Sequence, residues 1–561
     1  MNNSSYLDAG LFIPLDLYFA QRVLSTEMKI KEEHTVFLAF LFALSRQGHL
    51  AFPLERIKEI MGMLPSKRPF DAEELMHKVQ EGAKALPTCC EGLVYENNGV
   101  YYLQKNWACE QDILCHILRL LHSSPMPIPS DAVDMQLNCA QRAAIEKAKQ
   151  YPISLLFGGP GTGKTYTAAQ LIRGFLTADE KKQMRVVVAA PTGKAVAQLD
   201  MYLKRLLGDE ERIRSGTCHA LLNLKKDPSL EHDSSPLFAD IILVDECSMI
   251  DAPLFSRLLA SIMEGSRVIL IGDPDQLPSV EAGSIFADLV AAAQAGFALP
   301  ATQLTECLRS ERKEILYFSE CVRTAQCAQA VALLQGEGIA RVPLDLLESN
   351  RQQVYSYLFH VYKEHFISFF TDEPNASDLL RKLDSFRLLS CMRQGDFGVD
   401  AINHFFIEQF SKEAPRNEWW AIPLLITRSD YALQLYNGDT GILIRRTSSS
   451  LTLTQEDYAY FPDRASQEGL RKIPALALPS FEWGYCLSVH KSQGSEYEEV
   501  FILIPQGSEV FGREVLYTAA TRAKRAITCA GSLEVIEKVI QNSARKISGL
   551  SARLKEKVSV I

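Results

Sequence analysis

Eight consecutive residues, Gly158-Gly159-Pro160-Gly161-Thr162-Gly163-Lys164-Thr165, combine the residue types that grip a polyphosphate. Glycines let backbone N–H groups turn toward phosphate oxygens, and a helix that starts within the run adds partial positive charge. Lys164 would reach the β- and γ-phosphates, and the Thr165 hydroxyl would ligate Mg²⁺, so ATP and Mg²⁺ are the implied cofactors. The apolar run at 153–157 before it and the helical run at 166–176 after it supply the strand, loop and helix that a P-loop requires.

A P-loop alone suits kinases, GTPases and motors equally. The apolar run 241–244 ends in Asp245-Glu246. There Asp245 can hold the Mg²⁺ shell, and Glu246 can position or deprotonate an attacking water. That pairing favours hydrolysis, and the chain has no NKxD sequence to read guanine. One strand later, Gly272-Asp273-Pro274-Asp275-Gln276 gives a second polar strand end, from which Gln276 could touch the γ-phosphate. Farther along, Arg309 and Arg522 are spaced so that either could meet the γ-phosphate from across a cleft. Such a finger is worth about 10³ to 10⁵ in rate. With Glu246 and Gln276 they form the candidate catalytic set.

These groups need rigid elements to hold them. Short apolar runs at 153–157, 185–190, 241–244 and 268–271 alternate with helical stretches, which predicts a parallel sheet covered on both faces. A second series of this kind is expected from about residue 300, with strands at 424–427, 500–504 and 526–530. The expected fold class is therefore α/β. The alternating, Ser/Thr-rich stretch 438–482 reads as a small β insertion. Residues 1–122 read as a helical domain with a hairpin at 92–103, turning at Asn98-Gly99. The three prolines in 123–130 read as a linker. The first α/β unit is then expected at 131–300 and the second at 301–561.

The length of 561 residues suits three or four domains at roughly 100–200 residues each. A net charge of −9 gives no support to a protein that coats nucleic acid, but leaves room for a local basic channel. The 13 cysteines include no CxxC pair, which predicts free, mostly buried thiols and neither a zinc site nor a disulfide framework. No apolar run approaches the roughly 20 residues of a membrane span, and the N-terminus lacks the pattern of a secretory signal. A cytoplasmic location is expected. The very apolar segment 35–44 suits core packing better than burial by a partner.

The order of these motifs resembles that of superfamily-one helicases, and among them the RecD family, over about 390 residues. Leu137-Asn138-Cys139-Ala140-Gln141 is similar to the adenine-reading segment, which implies that role for Gln141. The P-loop is motif I, and Ala190 to Ala195 resembles motif Ia, which implies Thr192 and Lys194 near a DNA backbone. Thr217-Cys218-His219 resembles the next DNA-contacting segment, with Cys218 where the family usually has Leu. Val244 to Asp251 resembles motif II, with Cys247 in place of the usual Ala. Residues 272–280 match motif III, Arg309 falls in motif IV, 489–496 match motif V, and 517–524 match motif VI. Segments 394–403 and 427–441 look typical of the RecD branch.

The resemblance implies two RecA-like motor domains with ATP between them, an SH3-type barrel at 438–482 and a strand-separating pin at 223–238. Single-stranded DNA would run over Thr192, Lys194, His219, Thr427, His490, Lys491 and Ser492. Hydroxyls and cations suit phosphates, so sequence preference should be weak. Also implied are 5′→3′ movement from duplex ends, no nuclease site in this chain, and RecB-like and RecC-like partner subunits docked through the N-terminal domain. Two other readings stand beside it: a regulatory ATP-binding subunit with little motor activity, and a stand-alone RecD-like helicase. Such stand-alone relatives typically carry a longer N-terminal region than the 130 residues here.

Overall fold

The computed structural model describes residues 4–25, 30–63, 70–84, 86–125, 137–179, 183–224, 235–306, 313–336, 339–343, 350–366, 370–371, 374–413, 418–430, 432–447, 451–462 and 469–558. Arg309, residues 126–130 of the expected linker and residues 225–234 of the expected pin lie outside them.

In chain order the strands are β1 (Phe52–Pro53), β2 (Val94–Asn97), β3 (Val100–Leu103), β4 (Ile153–Gly158), β5 (Val186–Ala190), β6 (Ile213–Thr217), β7 (Ile241–Val244), β8 (Arg267–Gly272), β9 (Ala301–Leu304), β10 (Ala340–Val342), β11 (Phe370–Thr371), β12 (Phe386–Ser390), β13 (Trp419–Ile426), β14 (Thr440–Arg446), β15 (Tyr458–Pro462), β16 (Leu470–Pro474), β17 (Phe481–Trp483), β18 (Cys486–Ser488), β19 (Tyr497–Leu503) and β20 (Ala523–Ala530).

The first lobe is a parallel sheet in the order β6-β5-β7-β8-β4-β9. Strands β4, β5, β7 and β8 are buried along their whole length. Continuous apolar runs such as Val186–Ala190 and Ile241–Val244 arise because helices cover both faces of a parallel sheet. Because β9 pairs with β4, the first sheet runs past residue 300, to Leu304. The second lobe is also parallel, in the order β10-β20-β19-β12-β18.

An antiparallel sheet, β11-β13-β14-β15-β16 with β17 also paired to β13, is inserted in the second lobe. The expected strand at 424–427 belongs here, within β13, and not in the parallel sheet. Its sequence, Trp-Trp-Ala-Ile-Pro-Leu-Leu-Ile, is apolar at successive positions, so periodicity could not separate it from a doubly covered parallel strand. Its inward residues Trp420, Ile422 and Leu424 join Leu443, Ala459, Phe461 and Ile473 in one core.

The N-terminal region is helical with a three-stranded wing, β1-β3-β2. Its apolar helix Glu32–Arg46 is the core of that region: Val36, Phe37, Leu38, Ala39 and Phe40 are fully buried. The helix Gln104–Leu121 leaves this region to pack on the first lobe, where Arg119 donates to the carbonyls of Leu259 and Ile262 at 2.9 and 3.0 Å. The chain's end returns to the same place. Leu550 and Leu554, on the helix Leu550–Val558, are fully buried beside Ile113, Ile117 and Leu289. A buried ion pair between Arg553 and Glu110, at 3.0 Å, closes this corner.

All twelve described cysteines are free thiols, and seven are buried. Among the described residues no helix is long and apolar enough to cross a membrane, and no cluster of His, Cys, Asp and Glu could hold a metal ion by itself.

Candidate active site at the seam of two lobes

Strand β4 ends at Gly158, and the helix Lys164–Ala178 begins six residues later. Between them the loop turns back on itself at Gly161 and Gly163, both at positive φ (75° and 85°), a conformation that costs glycine little. Gly158 has no room for a side chain, because a Cβ there would lie 2.4 Å from the Leu304 carbonyl oxygen. Lys164 Nζ folds over the loop and donates to the carbonyls of Gly158 and Gly159 at 2.7 and 2.9 Å. Thr162 Oγ1 donates to the Gly159 carbonyl at 2.8 Å. The ammonium is thus held against the glycine-rich loop, where a positive charge suits an anionic phosphate chain.

Asp245 and Glu246 follow β7, next to β8 and one strand removed from the P-loop strand. Thr165 Oγ1 lies 3.4 Å from Asp245 Oδ2, and the Glu246 amide donates to Asp245 Oδ1 at 2.8 Å. Burial, then the neighbouring Glu246 charge, push the Asp245 carboxyl up to about 7. A buried carboxylate beside a hydroxyl is a hard oxygen pair that fits Mg²⁺, and a divalent cation would reverse that upward push. Glu246 itself adopts φ 52° in the left-handed region, which is uncommon for a side-chain-bearing residue. It is only partly buried, and its charge acts on the buried Arg522 of the second lobe.

Gln141 lies in the first turn of the helix Cys139–Gln150. Its Oε1 accepts from the Asn138 amide at 3.1 Å, closing a capping box. Its Nε2 is buried and has no hydrogen-bond partner. A stranded amide donor costs about 1–3 kcal/mol, and a purine nitrogen would satisfy it.

The second lobe closes the site. A cleft has Pro160 and Gly161 on one wall and Ser319, Glu496, Thr521, Arg522 and Lys524 on the other. Arg522 is buried, with Nε donating to the Thr518 carbonyl (3.0 Å) and Nη1 to the Ser495 carbonyl (3.2 Å). Burial lowers its pKa, against the opposing attraction of Glu246 and Asp273. Arg522 therefore lines the same cleft as Pro160 and Gly161 of the P-loop.

Motif III makes direct contacts across that seam. Asp273 Oδ2 accepts from Gln276 Nε2 (3.1 Å) in its own loop and from the Tyr517 hydroxyl (3.2 Å) in the second lobe. Tyr517 also presses on the P-loop, where a Cβ at Gly159 would lie 3.0 Å from its oxygen. Leu277 is buried among Phe318, Leu516 and Tyr517 of the second lobe; its amide donates to Thr518 Oγ1 (2.9 Å) and its carbonyl accepts from Gln493 Nε2 (3.1 Å). Asp273, Tyr517, Leu277 and Gln493 were within named motifs in the sequence, but without a role. No local pattern pairs residues so far apart along the chain.

The expected DNA contacts cluster at strand ends. Thr192 caps the helix Gly193–Leu207, its Oγ1 accepting from the Ala195 amide at 3.3 Å. Lys194 Nζ donates to Ser495 Oγ of the other lobe at 2.5 Å. His219 is exposed just beyond β6, and Thr427 lies just beyond β13. Lys491 Nζ donates to Asn437 Oδ1 at 2.7 Å, and burial lowers its pKa. His490 is half-buried with its ring edge-on to Phe511, and burial lowers its pKa. Ser492 differs from expectation: it is fully buried, and its hydroxyl donates to the Val489 carbonyl at 2.7 Å, so it shapes the turn and does not reach the surface. The ends of the excursion expected to form a pin are joined by Asn223 Nδ2 donating to Ser235 Oγ at 3.1 Å.

An AAA domain family matches residues 136–342, and the UvrD-like helicase C-terminal domain matches residues 484–528. The RecBCD enzyme subunit RecD of Mycolicibacterium smegmatis is 33% identical over 492 residues, covering 81% of this chain and 82% of the relative. The chain belongs to the RecD family. The Mycobacterium tuberculosis RecD is 31% identical over 581 residues, covering 98% of this chain and 96% of the relative. The ATP-dependent RecD2 DNA helicase of Deinococcus radiodurans is 27% identical and spans 70% of this chain, but the match covers 48% of that longer protein. Among solved structures, a Bacteroides Pif1 helicase in complex with ADP-AlF3 and ssDNA superposes at a TM-score of 0.42 with 16% identity, over 76% of this chain and 98% of that one.

Proposed function

We propose that this chain is an ATP-driven, 5′→3′ DNA helicase and translocase subunit of a RecBCD-type helicase–nuclease that acts at double-strand breaks, located in the cytoplasm. The observation that carries the reading is the seam itself. One lobe supplies the P-loop, the Asp245-Glu246 pair and Asp273; in the other lobe Arg522 lines a cleft with Pro160 and Gly161, and Tyr517 donates to Asp273.

In this reading Lys164 and the loop amides hold the triphosphate, Gln141 reads the adenine, and Thr165 and Asp245 hold Mg²⁺. Bound Mg²⁺ supplies neutralisation of phosphate charge. Glu246 orients an attacking water and accepts its proton, a role supported by its place beside Asp245 and its partial exposure. Gln276 and Arg522 sense the γ-phosphate, with Arg309 assigned the same task from the sequence. Loss of that phosphate releases the Arg522 side of the cleft, and the lobes part. Thr192, Lys194 and His219 on one lobe and Thr427, His490 and Lys491 on the other then grip a single strand alternately, which converts cleft motion into steps.

The two α/β lobes, the first running on to Leu304, would be RecA-like motors, and the antiparallel insertion an SH3-type barrel. The three-residue 3₁₀ turn Ala475–Ala477 between β16 and β17, with β17 returning to β13, supports that barrel assignment. Partner docking falls to the N-terminal region, where Leu15, Tyr18 and Phe19 are exposed on one helix. Identities of 33% and 31% to RecD subunits against 27% to a RecD2 helicase favour a subunit over a stand-alone enzyme. Nuclease activity is assigned to a partner.

Lys164→Ala should abolish DNA-stimulated ATP hydrolysis and unwinding in the purified chain or its assembly, with the fold intact by thermal melting. Retained hydrolysis would defeat the reading.

A further inference from the structure

Beyond helix Leu533–Gln541 the chain does not end on the second lobe. A strap, residues 542–549, crosses to the first lobe and the N-terminal region. Both of its ends are held firmly. Arg513 donates to the carbonyls of Gln541 and Asn542 (2.9 and 3.0 Å), and Glu514 accepts from Ser543 Oγ (2.7 Å) and the Ala544 amide (2.8 Å). On the far side, the Lys546 amide donates to Ser284 Oγ (3.0 Å), the Ile547 amide to His49 Nδ1 (2.9 Å), and the Leu50 amide to the Ile547 carbonyl (2.8 Å).

Between these anchors, Arg545 projects onto the motif III loop. Its Nη2 donates to Asp275 Oδ1 at 2.6 Å and to the Pro274 carbonyl at 3.1 Å. Arg323, on the helix Lys313–Arg323 of the second lobe, takes the other oxygen of Asp275 at 3.2 Å, and is itself steadied by Glu320 at 2.6 Å. Asp275 precedes Gln276, and its amide donates to Asp273 Oδ1 at 3.1 Å, the carboxylate that also holds Gln276 Nε2 and Tyr517. Glu514, which ties the strap down, lies on the helix Gly512–Ala520 that carries Tyr517. The motif III loop is therefore held at two points, by Tyr517 of the second lobe on Asp273 and by Arg545 of the strap on Asp275. The Arg545–Asp275 pair is partly exposed (44% and 21%), and pairs of that kind contribute little to stability. Its value lies in orientation.

We infer that Arg545, on a C-terminal strap outside the helicase motifs, is a positioning residue for ATP hydrolysis: with Arg323 it orients Gln276 through Asp275. The inference rests on the ATPase reading above. It also gives the N-terminal region, which holds the far end of the strap, a physical line to the nucleotide cleft.

The test is steady-state, DNA-stimulated ATP hydrolysis by the full-length chain, with its partner subunits where they co-purify. Arg545→Ala and Asp275→Ala should each lower kcat roughly tenfold with KM for ATP within about twofold, as expected when a contact matters chiefly in the transition state. The double variant should be no slower than the slower single variant, and Arg545→Lys should recover most of the rate. Wild-type kcat in Arg545→Ala, or losses that multiply in the double variant, would overturn the inference. Should Arg545→Ala fail to fold, Arg323→Ala reads the other arm of the clamp, and an unchanged kcat there overturns it equally. A wild-type chain without hydrolysis that depends on Lys164 would instead remove the ATPase reading and this inference with it.

Discussion

The Tyr517 hydroxyl donates to Asp273 Oδ2 at 3.2 Å, joining a helix of the second lobe to the strand end beside the P-loop of the first. Both groups are buried, and desolvation pushes the carboxyl of Asp273 and the phenol of Tyr517 upward. Asp273 also holds Gln276. One carboxyl therefore links the residue that would sense γ-phosphate to the lobe that would move.

Tyr517→Phe removes that bond and the hydroxyl that lies against Gly159, and keeps the ring. A hydrogen bond to an ionisable partner is worth about 1.5–3 kcal/mol, so a fall in kcat of about tenfold or more is expected with little change in the melting temperature. Steady-state hydrolysis with saturating single-stranded DNA measures it, and a wild-type kcat would show that the bond has no part in turnover.

Gln141 presents an amide nitrogen that is buried with no partner in the protein. If adenine is its partner, Gln141→Ala should raise KM for ATP about tenfold while leaving kcat close to wild type, because the contact is made equally in ground and transition states. Preference for ATP over GTP should shrink with it. Competition between the two nucleotides checks this directly, and unaltered discrimination would remove Gln141 from base reading.

Most of the nucleotide site was legible in the sequence, because each part is a short run at a strand end. The loop 158–165 and the pair Asp245-Glu246 stand where the local pattern put them. What stayed hidden depends on chain segments far apart. Ser492 looked like a phosphate contact from its residue type, but the 3₁₀ turn His490–Ser492 folds its hydroxyl onto Val489. Strand β13 looked like a parallel strand, since residues apolar on both faces carry no period to separate the two pairings. The strap 542–549 has no amphipathic pattern at all; its place is set by partners such as Asp275, Glu514 and His49, which lie tens to hundreds of residues away.

His49 gives the strap's far anchor a pH dependence. Burial, then Lys546 and Arg56 nearby, lower its pKa to about 3, and its Nδ1 must stay unprotonated to accept from Ile547. The folded state therefore favours the neutral ring. Its contribution to stability is complete above about pH 6.5, the unfolded value, and is lost as pH falls toward 3. Asp288, pushed by burial up to about 7, works in the opposite sense: its contribution is complete below the unfolded value near 3.8 and is lost as pH rises through 7. A comparison with His49→Asn, which keeps an acceptor for Ile547, isolates the histidine. Wild type should lose up to about 2 kcal/mol relative to that variant between pH 7 and pH 5. Urea unfolding at the two pH values measures it, and parallel losses in both proteins would refute the assignment.

Lys194 and Lys491 stand on opposite lobes, and each donates to a neutral side chain, Ser495 Oγ and Asn437 Oδ1. Hydrogen bonds of that kind aim the ammonium without cancelling its charge, which leaves it able to displace counterions from a phosphate backbone. Binding of single-stranded DNA should therefore weaken steeply with salt, and each Lys→Ala substitution, by removing one cation from the backbone, should flatten the slope of log K against log salt by about 0.7. Ser492→Ala is the internal comparison, because the Ser492 hydroxyl is buried on the Val489 carbonyl and should leave the slope at its wild-type value. A fluorescence titration over several salt concentrations reads all three variants. Slopes unchanged by both lysine substitutions would move the DNA path away from this face of the lobes.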